Sequence, residues 1–291
     1  MRYTISLVFA LVFFPGLSVQ SLAQADEQAR REVDFVFYLM GRGDIQESLY
    51  LLDRVEPEAQ SLADTVLFLK GWMLYGQKDL LRSSSFLLNV SGSSPLFAQS
   101  RFFGAYNLAH EGLTDRATEA LSPLLFEPGS VYDAMKNFQL AGLSLLRRDF
   151  DGFSDHAEGF SGGHHLMAEE EARLLTYRES LLQAPVRSPF VAGLLSAAVP
   201  GLGKVYAGKT AEGIAGFIYV AAMGATAWDF YRGAGPRSAL FILSASITGV
   251  FYLGNIFGSA TAVRRQQNEL NHELDQRILF DMHIPLRNTF N

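Results

Sequence analysis

The sequence contains no cysteine, and only 19% of its 291 residues are charged. The absence of cysteine excludes a disulfide framework and any metal site built on thiolates. Charged residues make up about 25% of a typical soluble domain. The low charge and the mean hydropathy of +0.11 therefore indicate that part of the chain meets a solvent other than water. The hydrophobic fraction of 48% excludes an intrinsically disordered chain.

Charge is unevenly distributed along the sequence. Residues 26–185 contain 14 basic and 24 acidic side chains, a net charge of −10. Residues 186–291 contain 9 basic and 6 acidic side chains, a net charge of +3. An acidic segment followed by a basic, apolar one predicts a water-facing domain joined to a membrane module.

The first 25 residues lack acidic side chains and carry Arg2 as their single charge. A short apolar run, Ile5 to Leu17, is followed by the small-residue pattern Ala23-Gln24-Ala25. This combination predicts a signal peptide over residues 1–25 that is removed in front of Asp26. The alternative is an uncleaved anchor helix, and both interpretations export the rest of the chain.

Between residues 26 and 185, apolar side chains recur every three or four positions, which predicts consecutive amphipathic helices and no strands. A register of three positions recurs along this segment: a small residue, a large apolar residue four positions later, and an aliphatic residue three positions after that. It repeats after 35 residues and then after 34. This register places three sets of residues on one face of three helices: Ser48, Leu52 and Val55; Ser83, Leu87 and Val90; Ala117, Leu121 and Leu124. Another apolar helix precedes each of them, and we expect the connecting turns at Gly43-Asp44, Gly76 and Gly112.

A helix-turn-helix unit of about 34 residues resembles the tetratricopeptide repeat. Gly71 and Ala105 hold the small position of the first helix, twelve residues before Ser83 and Ala117. The aromatic and tyrosine positions of that family are poorly kept, and a fourth unit over residues 132–160 has a shifted register. The resemblance implies a solenoid with a groove that holds another polypeptide. The alternatives are a non-repetitive helical bundle and, for the acidic side chains, a solvated surface without a partner.

Three segments in the second half lack charged side chains. Residues 188–203 are interrupted by prolines and glycines, residues 213–228 are largely apolar, and residues 238–263 form the longest run. A membrane-spanning helix needs about 20 apolar residues. We therefore expect a membrane module over residues 186–261, with spanning helices at 211–231 and 238–260.

The segment 188–203 leaves two topologies open. If it is re-entrant or interfacial, two spans return the tail, residues 262–291, to the side of the acidic domain. If it crosses, three spans place Lys204, Lys209 and the basic start of the tail inside, as the positive-inside rule favours, but Pro200 lies within the crossing segment. We favour two spans. The tail itself has apolar residues at helical spacing and is expected to dock on the repeats or to lie on the bilayer.

Residues 203–210 match G-x-x-x-x-G-K-[ST], a loop that binds nucleotide phosphates when it lies between a buried strand and a helix. Pro200 precedes this stretch and only 81 residues follow it, too few for a buried parallel sheet, so we expect no nucleotide binding.

A longer pattern accounts for the same residues. It resembles the P-G-x-G-x-x-Y-x-G-x-x-x-x-G signature of small two-span membrane domains, including a bacterial family of unknown function in envelope proteins, and comprises Pro200, Gly201, Gly203, Tyr206, Gly208 and Gly213. The resemblance implies a membrane hairpin with an ordered glycine turn and implies no reaction. Gly201 and Gly203 allow positive φ, and Lys204, a departure from the frequent Gln, is with Lys209 a candidate for contacts with lipid headgroups.

Gly254 and Gly258 form a G-x-x-x-G pair, which in a membrane favours close helix contact. We expect them to pack the hairpin against itself, and a homodimer through the membrane helices is the alternative. No G-x-S-x-G elbow is present to hold a nucleophilic serine, and His164-His165 lacks the further ligands that a metal site needs. We expect no enzyme activity, no metal, no cofactor and no nucleic-acid binding.

These observations predict an all-α protein, a helical-repeat (tetratricopeptide-like) solenoid plus a C-terminal transmembrane helical hairpin. The expected location is the bacterial inner membrane, with the N-terminal domain in the periplasm. The expected function is a scaffold or adaptor that binds another envelope protein or peptide, in processes such as membrane-protein biogenesis. The alternative is a membrane-embedded transport or lipid-handling component in which the hairpin is the active part.

Overall fold

The computed structural model describes residues 16–57, 59–160 and 167–290, with side chains from residue 27 onward. All regular structure in these ranges is helical, so the all-α prediction is confirmed for them. The chain divides into two compact units. We call Met1–Leu174 with Leu279–Asn291 the repeat unit, and Leu175–Ile278 the hairpin unit. Most of the predicted signal peptide lies outside the described residues, and its last ten residues belong to the first helix.

The repeat unit begins with four sequential pairs of helices. In each pair a longer helix precedes one of eight residues: α1 (Gly16–Arg42) and α2 (Ile45–Leu52); α3 (Gln60–Gly76) and α4 (Leu80–Leu87); α5 (Phe97–His110) and α6 (Thr114–Leu121); α7 (Val131–Leu146) and α8 (Phe150–Ala157). Consecutive helices pack against one another along the series. Sequential pairing of this kind indicates helical repeats.

The turns inside the four pairs share one backbone geometry. Each contains one residue in the left-handed region, Gly43, Lys78, Gly112 or Arg148, with φ between 61° and 82°. The next residue donates its amide to a carbonyl five positions back, which satisfies the end of the preceding helix. Gly76 is therefore not the turn residue that the sequence predicted, because it is the last residue of α3. The spacing from residue 112 to residue 148 is longer than the earlier ones, which accounts for the shifted register of the fourth unit.

Lys78 is an exposed side chain in a backbone conformation that favours glycine. We expect Lys78→Gly to raise the free energy of unfolding by about 0.5–1 kcal/mol, because glycine removes the left-handed penalty of roughly 1–2 kcal/mol and loses part of that gain to chain entropy. Thermal unfolding of the full chain in detergent measures this. Lys78→Ala is the matched control and should bring no gain, and equal effects of the two variants would refute the backbone explanation.

The repeated register forms the core of these pairs. All eleven residues that the sequence placed at packing positions are buried: Ser48, Leu52, Val55, Gly71, Ser83, Leu87, Val90, Ala105, Ala117, Leu121 and Leu124. A Cβ at Gly71 would lie 2.6 Å from Leu87 Cγ, so α3 and α4 approach closely at this point. Ser83 Oγ donates to the Gly71 carbonyl at 2.6 Å and accepts from Asn107 Nδ2 at 2.9 Å, which links three helices by buried hydrogen bonds.

The remaining helices are α9 (Ala168–Gln183), α10 (Pro189–Ala198), α11 (Leu202–Tyr206), α12 (Thr210–Ala234) and α13 (Ala239–Phe290). Helix α13 has 52 residues and contributes to both units, because the boundary falls between residues 278 and 279. The predicted tail is thus helical from residue 262 to residue 290 and continues the preceding apolar helix. Pro285 lies inside this helix, where it lacks the N–H of the regular hydrogen-bond ladder.

Candidate functional site

The glycine pattern forms a tight corner between α10 and α11. Gly201 has φ +86°, and a Cβ there would collide with the Gly213 carbonyl of α12. Both the backbone conformation and the space therefore require glycine. Pro200 immediately precedes this corner, after α10 has ended at Ala198.

Gly203 has a role that differs from the expected positive φ. It lies within the short helix α11, and a Cβ at this position would collide with the Ala192 carbonyl of α10. Its amide donates to Ser196 Oγ at 3.0 Å, and the Ser196 hydroxyl lies 2.6 Å from that of Ser259. Ser259 in turn donates to the Asn255 carbonyl at 2.8 Å. This buried chain of hydrogen bonds joins α10, α11 and α13 within the hairpin unit.

The other residues of the pattern complete the turn. The Tyr206 hydroxyl accepts the Ser188 amide at 3.2 Å and so ties α11 to the start of α10. Gly208 has φ +86°. Lys209 pairs with Glu212 at 3.8 Å on the first turn of α12.

The phosphate-loop match has no phosphate-binding geometry. Residues 203–210 form α11 and the start of α12, with no strand in front of them. The amides of Ala207, Gly208 and Lys209 donate to carbonyls of residues 203–205 at 2.9 Å, so they do not point to a common anion site. Residues 203–210 therefore lack both the preceding strand and the amide arrangement that the motif requires.

Helices α12 and α13 are long and apolar enough to cross a membrane, and their apolar segments are largely exposed. Exposed large side chains on them include Phe217, Ile218, Tyr219, Val250 and Phe257. Helix α10 is also apolar and has only ten residues. The sequence prediction of two long apolar C-terminal helices is confirmed.

The G-x-x-x-G pair does not make the expected contact within the hairpin. A Cβ at Gly254 would have no neighbour within 4 Å, and one at Gly258 would meet only the Lys204 side chain, at 3.8 Å. Close approach of α12 to α13 occurs instead at Gly216, where a Cβ would lie 2.8 Å from Asn255 Nδ2. A homodimer through Gly254 and Gly258 stays a prediction.

The end of α13 lies on the longer helices of the repeat pairs. We call this surface, formed by α3, α5 and α7, the inner face. Gln139 on α7 donates to the Met282 carbonyl at 2.7 Å, and both residues are buried. A Cβ at Gly142 would lie 2.5 Å from Met282 Sδ, so glycine admits this side chain.

Charge also holds the tail in place. The Asp281 carboxylate is almost fully buried and accepts Arg173 Nε at 3.0 Å. Arg173 further contacts the buried Glu170 at 2.8 Å. Burial alone would lower the pKa of Arg173, but its contacts with Asp281 and Glu170 outweigh this effect and the pKa is raised.

Aromatic side chains of the inner face surround His283 of the tail. Its ring stacks on Tyr106 with centroids 4.8 Å apart, and its Nε2 is hydrogen-bonded to the Tyr75 hydroxyl. Phe290 stacks on Tyr132 with centroids 5.8 Å apart and an interplanar angle of 6°. The tail therefore buries its own apolar side and that of the inner face together.

The surroundings of His283 predict that tail docking weakens at low pH. Burial lowers the pKa of His283, and so do the charges of Arg287, Lys78 and His110. The folded chain then binds fewer protons than the unfolded one below pH 6.5, so stability falls with pH from about 6.5 down to the lowered pKa. We expect the midpoint of thermal unfolding to drop by a few degrees over this window in the wild type.

His283→Gln is the control for this effect, since it keeps polar groups at the site and cannot titrate. Burial also lowers the pKa of His156, so the difference between wild type and variant is the quantity to measure. If the midpoint of thermal unfolding changes with pH in the same way in the two proteins between pH 7.5 and pH 5, His283 is not responsible for the loss of stability.

Sequence reasoning missed the residues that hold the tail, namely Gln139, Gly142, Arg173, Asp281, Met282 and His283. The single available signal was Pro285 within an amphipathic helix. Among the residues that the structure describes, no group of three His, Asp or Glu side chains could hold a metal ion. His164 and His165 lie outside the described residues.

No protein-family model, no curated protein and no solved structure matches the chain. Neither the tetratricopeptide resemblance nor the resemblance to two-span membrane domains is therefore supported by a family match. What the fold defines is an all-helical protein with sequential pairs of helices, which indicate helical repeats, followed by two long apolar C-terminal helices.

Proposed function

We propose that this protein is a membrane-anchored adaptor of the bacterial cell envelope that binds another envelope protein through the inner face of its repeats. The observation that supports this most is the α13 segment on that face. Gln139 and an aromatic cluster on that face, together with Arg173 of α9, bind an amphipathic helix, as helix-in-groove recognition requires. A partner with a similar helix would displace the tail.

Helices α12 and α13 would anchor the protein, since exposed apolar surface on two helices of this length suits a bilayer. Residues 279–290 and the repeats form one unit, so they lie on the same side of the membrane and an even number of crossings separates them. This supports two spans, with α10 and α11 as the interfacial segment, and the repeats in the periplasm. Three spans would separate the tail from the inner face.

The absence of cysteine allows the topology to be tested with single cysteines in the full chain. We place them at three exposed positions: Ser85 in α4, Gly233 near the end of α12, and Asn271 in α13. A membrane-impermeant maleimide added to spheroplasts should label Ser85→Cys and Asn271→Cys, and should label Gly233→Cys only after lysis. Labelling of Gly233→Cys in intact spheroplasts, or labelling of Asn271→Cys only after lysis as three spans require, would refute the two-span arrangement.

Partner binding is tested with a photoreactive amino acid at Tyr132 on the inner face or at Tyr50, which is 65% exposed on α2. We expect adducts with another envelope protein at Tyr132. Their yield should rise when Leu286→Asp weakens the tail and fall when a synthetic peptide of residues 262–290 is added. Adducts that form only at Tyr50 would contradict binding at the inner face. So would an adduct yield at Tyr132 that responds neither to Leu286→Asp nor to the added peptide.

A lipid-handling role for the hairpin is the second candidate, because the hairpin unit contains a groove between α12 and α13 with a polar and an apolar end.

A further inference from the structure

The groove between α12 and α13 has a volume of about 620 Å³. On α12 its lining residues lie at positions 212, 215, 216, 219, 220 and 223, which is one face of a helix. These positions extend over about 16 Å. On α13 the lining residues are Val250, Phe251, Gly254 and Asn255. Glycines at 216 and 254 leave the space open.

The two ends of this groove differ in polarity. Lys204, Glu212 and Asn255 line one end, whereas Val220, Met223, Val250 and Phe251 line the other. A polar head followed by an apolar stretch is the shape of an amphiphile. If α12 and α13 span the bilayer, as proposed above, the groove opens towards lipid, and a lipid is the abundant molecule of this shape there.

Asn255 carries the strongest evidence for a ligand. Its side chain is buried, with 6% of its surface exposed, and no residue in the described ranges forms a hydrogen bond with its Oδ1. Its Nδ2, the side-chain atom nearest Gly216 of α12, makes no hydrogen bond to any residue that the structure describes. An unsatisfied amide in an apolar region costs about 1–3 kcal/mol, so the structure favours a ligand that brings donors and acceptors to this point.

The charges at the polar end indicate the type of headgroup. Lys204 forms no ion pair within the described part of the chain, and its stem lies beside Gly258 of α13. Glu212 is 59% exposed, and its contact with Lys209 is long, at 3.8 Å. Exposed pairs of this kind contribute little and exchange readily. One cation and one carboxylate at the same end match a zwitterion better than a purely anionic group.

We infer that this groove binds a glycerophospholipid whose headgroup ends in a primary ammonium group. The phosphate oxygens accept hydrogen bonds from Lys204 and Asn255 Nδ2, the ammonium donates to Glu212 and to Asn255 Oδ1, and an acyl chain lies along the apolar end. The inference rests on the proposed membrane anchoring and assigns a specific lipid site to the anchor.

The test uses the full chain, purified in detergent, delipidated and incubated with phosphatidylethanolamine, phosphatidylcholine or phosphatidylglycerol. Native mass spectrometry counts the lipids that are retained. We expect phosphatidylethanolamine to be retained about tenfold more than phosphatidylcholine, a difference of about 1.4 kcal/mol, because the choline group donates no hydrogen bond. Equal retention of these two lipids, or preference for phosphatidylglycerol, would overturn the inference.

Variants locate the site. Asn255→Leu, close in shape and without polar atoms, should abolish the preference, and Glu212→Gln should reduce it about threefold or more. Asn271→Leu is the matched control on the exposed part of α13 and should bind as the wild type does. Thermal unfolding without lipid checks that Asn255→Leu is folded. If Asn255→Leu is unfolded, the result for Glu212→Gln alone decides the test, because the Glu212 side chain is exposed and does not support the packing. An unchanged preference in a folded variant would overturn the inference.

Carbonate extraction of cell membranes that contain the wild type or a variant distinguishes failure of the membrane anchoring from failure of the lipid site. Extraction of cell membranes with alkaline carbonate should leave the wild type and both variants in the membrane fraction. Release of the wild type would refute the anchoring and the lipid site together. Retention in the membrane without a preference for phosphatidylethanolamine would refute the lipid site alone.

Discussion

Gly203→Ala is expected to destabilise the hairpin unit by about 3 kcal/mol or more, the upper range for an overpacked position. The added methyl group would overlap the Ala192 carbonyl and lie 2.7 Å from Ser196 Oγ. Backbone atoms cannot move aside as a flexible side chain can. The shift that relieves this overlap also breaks the hydrogen bond from the Gly203 amide to Ser196, and with it the chain that reaches α13.

Amide hydrogen exchange of residues 189–206, measured on the full chain in detergent, follows this effect within the affected helices. The matched control is Gly224→Ala in α12, because a Cβ there would meet no atom within 4 Å. The control should leave exchange unchanged or slow it slightly, since alanine favours helices by up to about 1 kcal/mol over glycine. Similar protection in the two variants would show that α10 and α11 are not held by this contact.

Leu286→Asp is expected to release the tail from the inner face. Leu286 is fully buried on α13. Its replacement removes a buried apolar side chain and puts an unpaired carboxylate in its place, and each change opposes docking by a few kcal/mol. A combined loss of about 4 kcal/mol or more is exceptional for a single substitution. We expect it to exceed the free energy with which this short segment docks on the inner face. Tryptic cleavage at Arg277 and Arg287 should therefore become rapid in the full chain.

Phe280→Asp provides the matched control, because Phe280 is 65% exposed on the same helix. The identical charge is then added at the surface, where substitutions usually change stability by less than about 0.5 kcal/mol. Cleavage of this variant should follow the wild type. If Leu286→Asp resists trypsin as the wild type does, the tail is not bound in the way that the structure describes.

The helical pairs were predictable because their signals are local. Ser83 and Leu87 lie on one face of α4, Val90 is buried just after its end, and the same spacing returns after about one repeat length, so spacing alone predicts which residues are buried. The turn at Lys78 was not predictable. Its left-handed backbone follows from how α3 ends and α4 begins, and lysine gives no local signal for that conformation.

The corner at residues 200–203 also was predictable only in part. The spacing of Pro200, Gly201 and Gly203 indicated a corner, and the sequence did not indicate why each glycine is needed. Gly201 requires its backbone angle and its space, while Gly203 requires space alone, because the Ala192 carbonyl lies opposite. Similarly, the spacing of Gly254 and Gly258 predicted a helix contact that the structure places at Gly216 and Asn255 instead.

The sequence by itself determined the helical class, the register of the repeats and the position of two long apolar helices, because helix formation and hydropathy depend on neighbours three and four residues apart. Only the tertiary structure decided that residues 279–290 occupy the inner face, and that the Asn255 side chain lies between α12 and α13 with no hydrogen-bond partner among the described residues. Contacts such as those between Gln139 and Met282, 143 residues apart, depend on shape and hydrogen-bond direction after folding, and no local pattern encodes them.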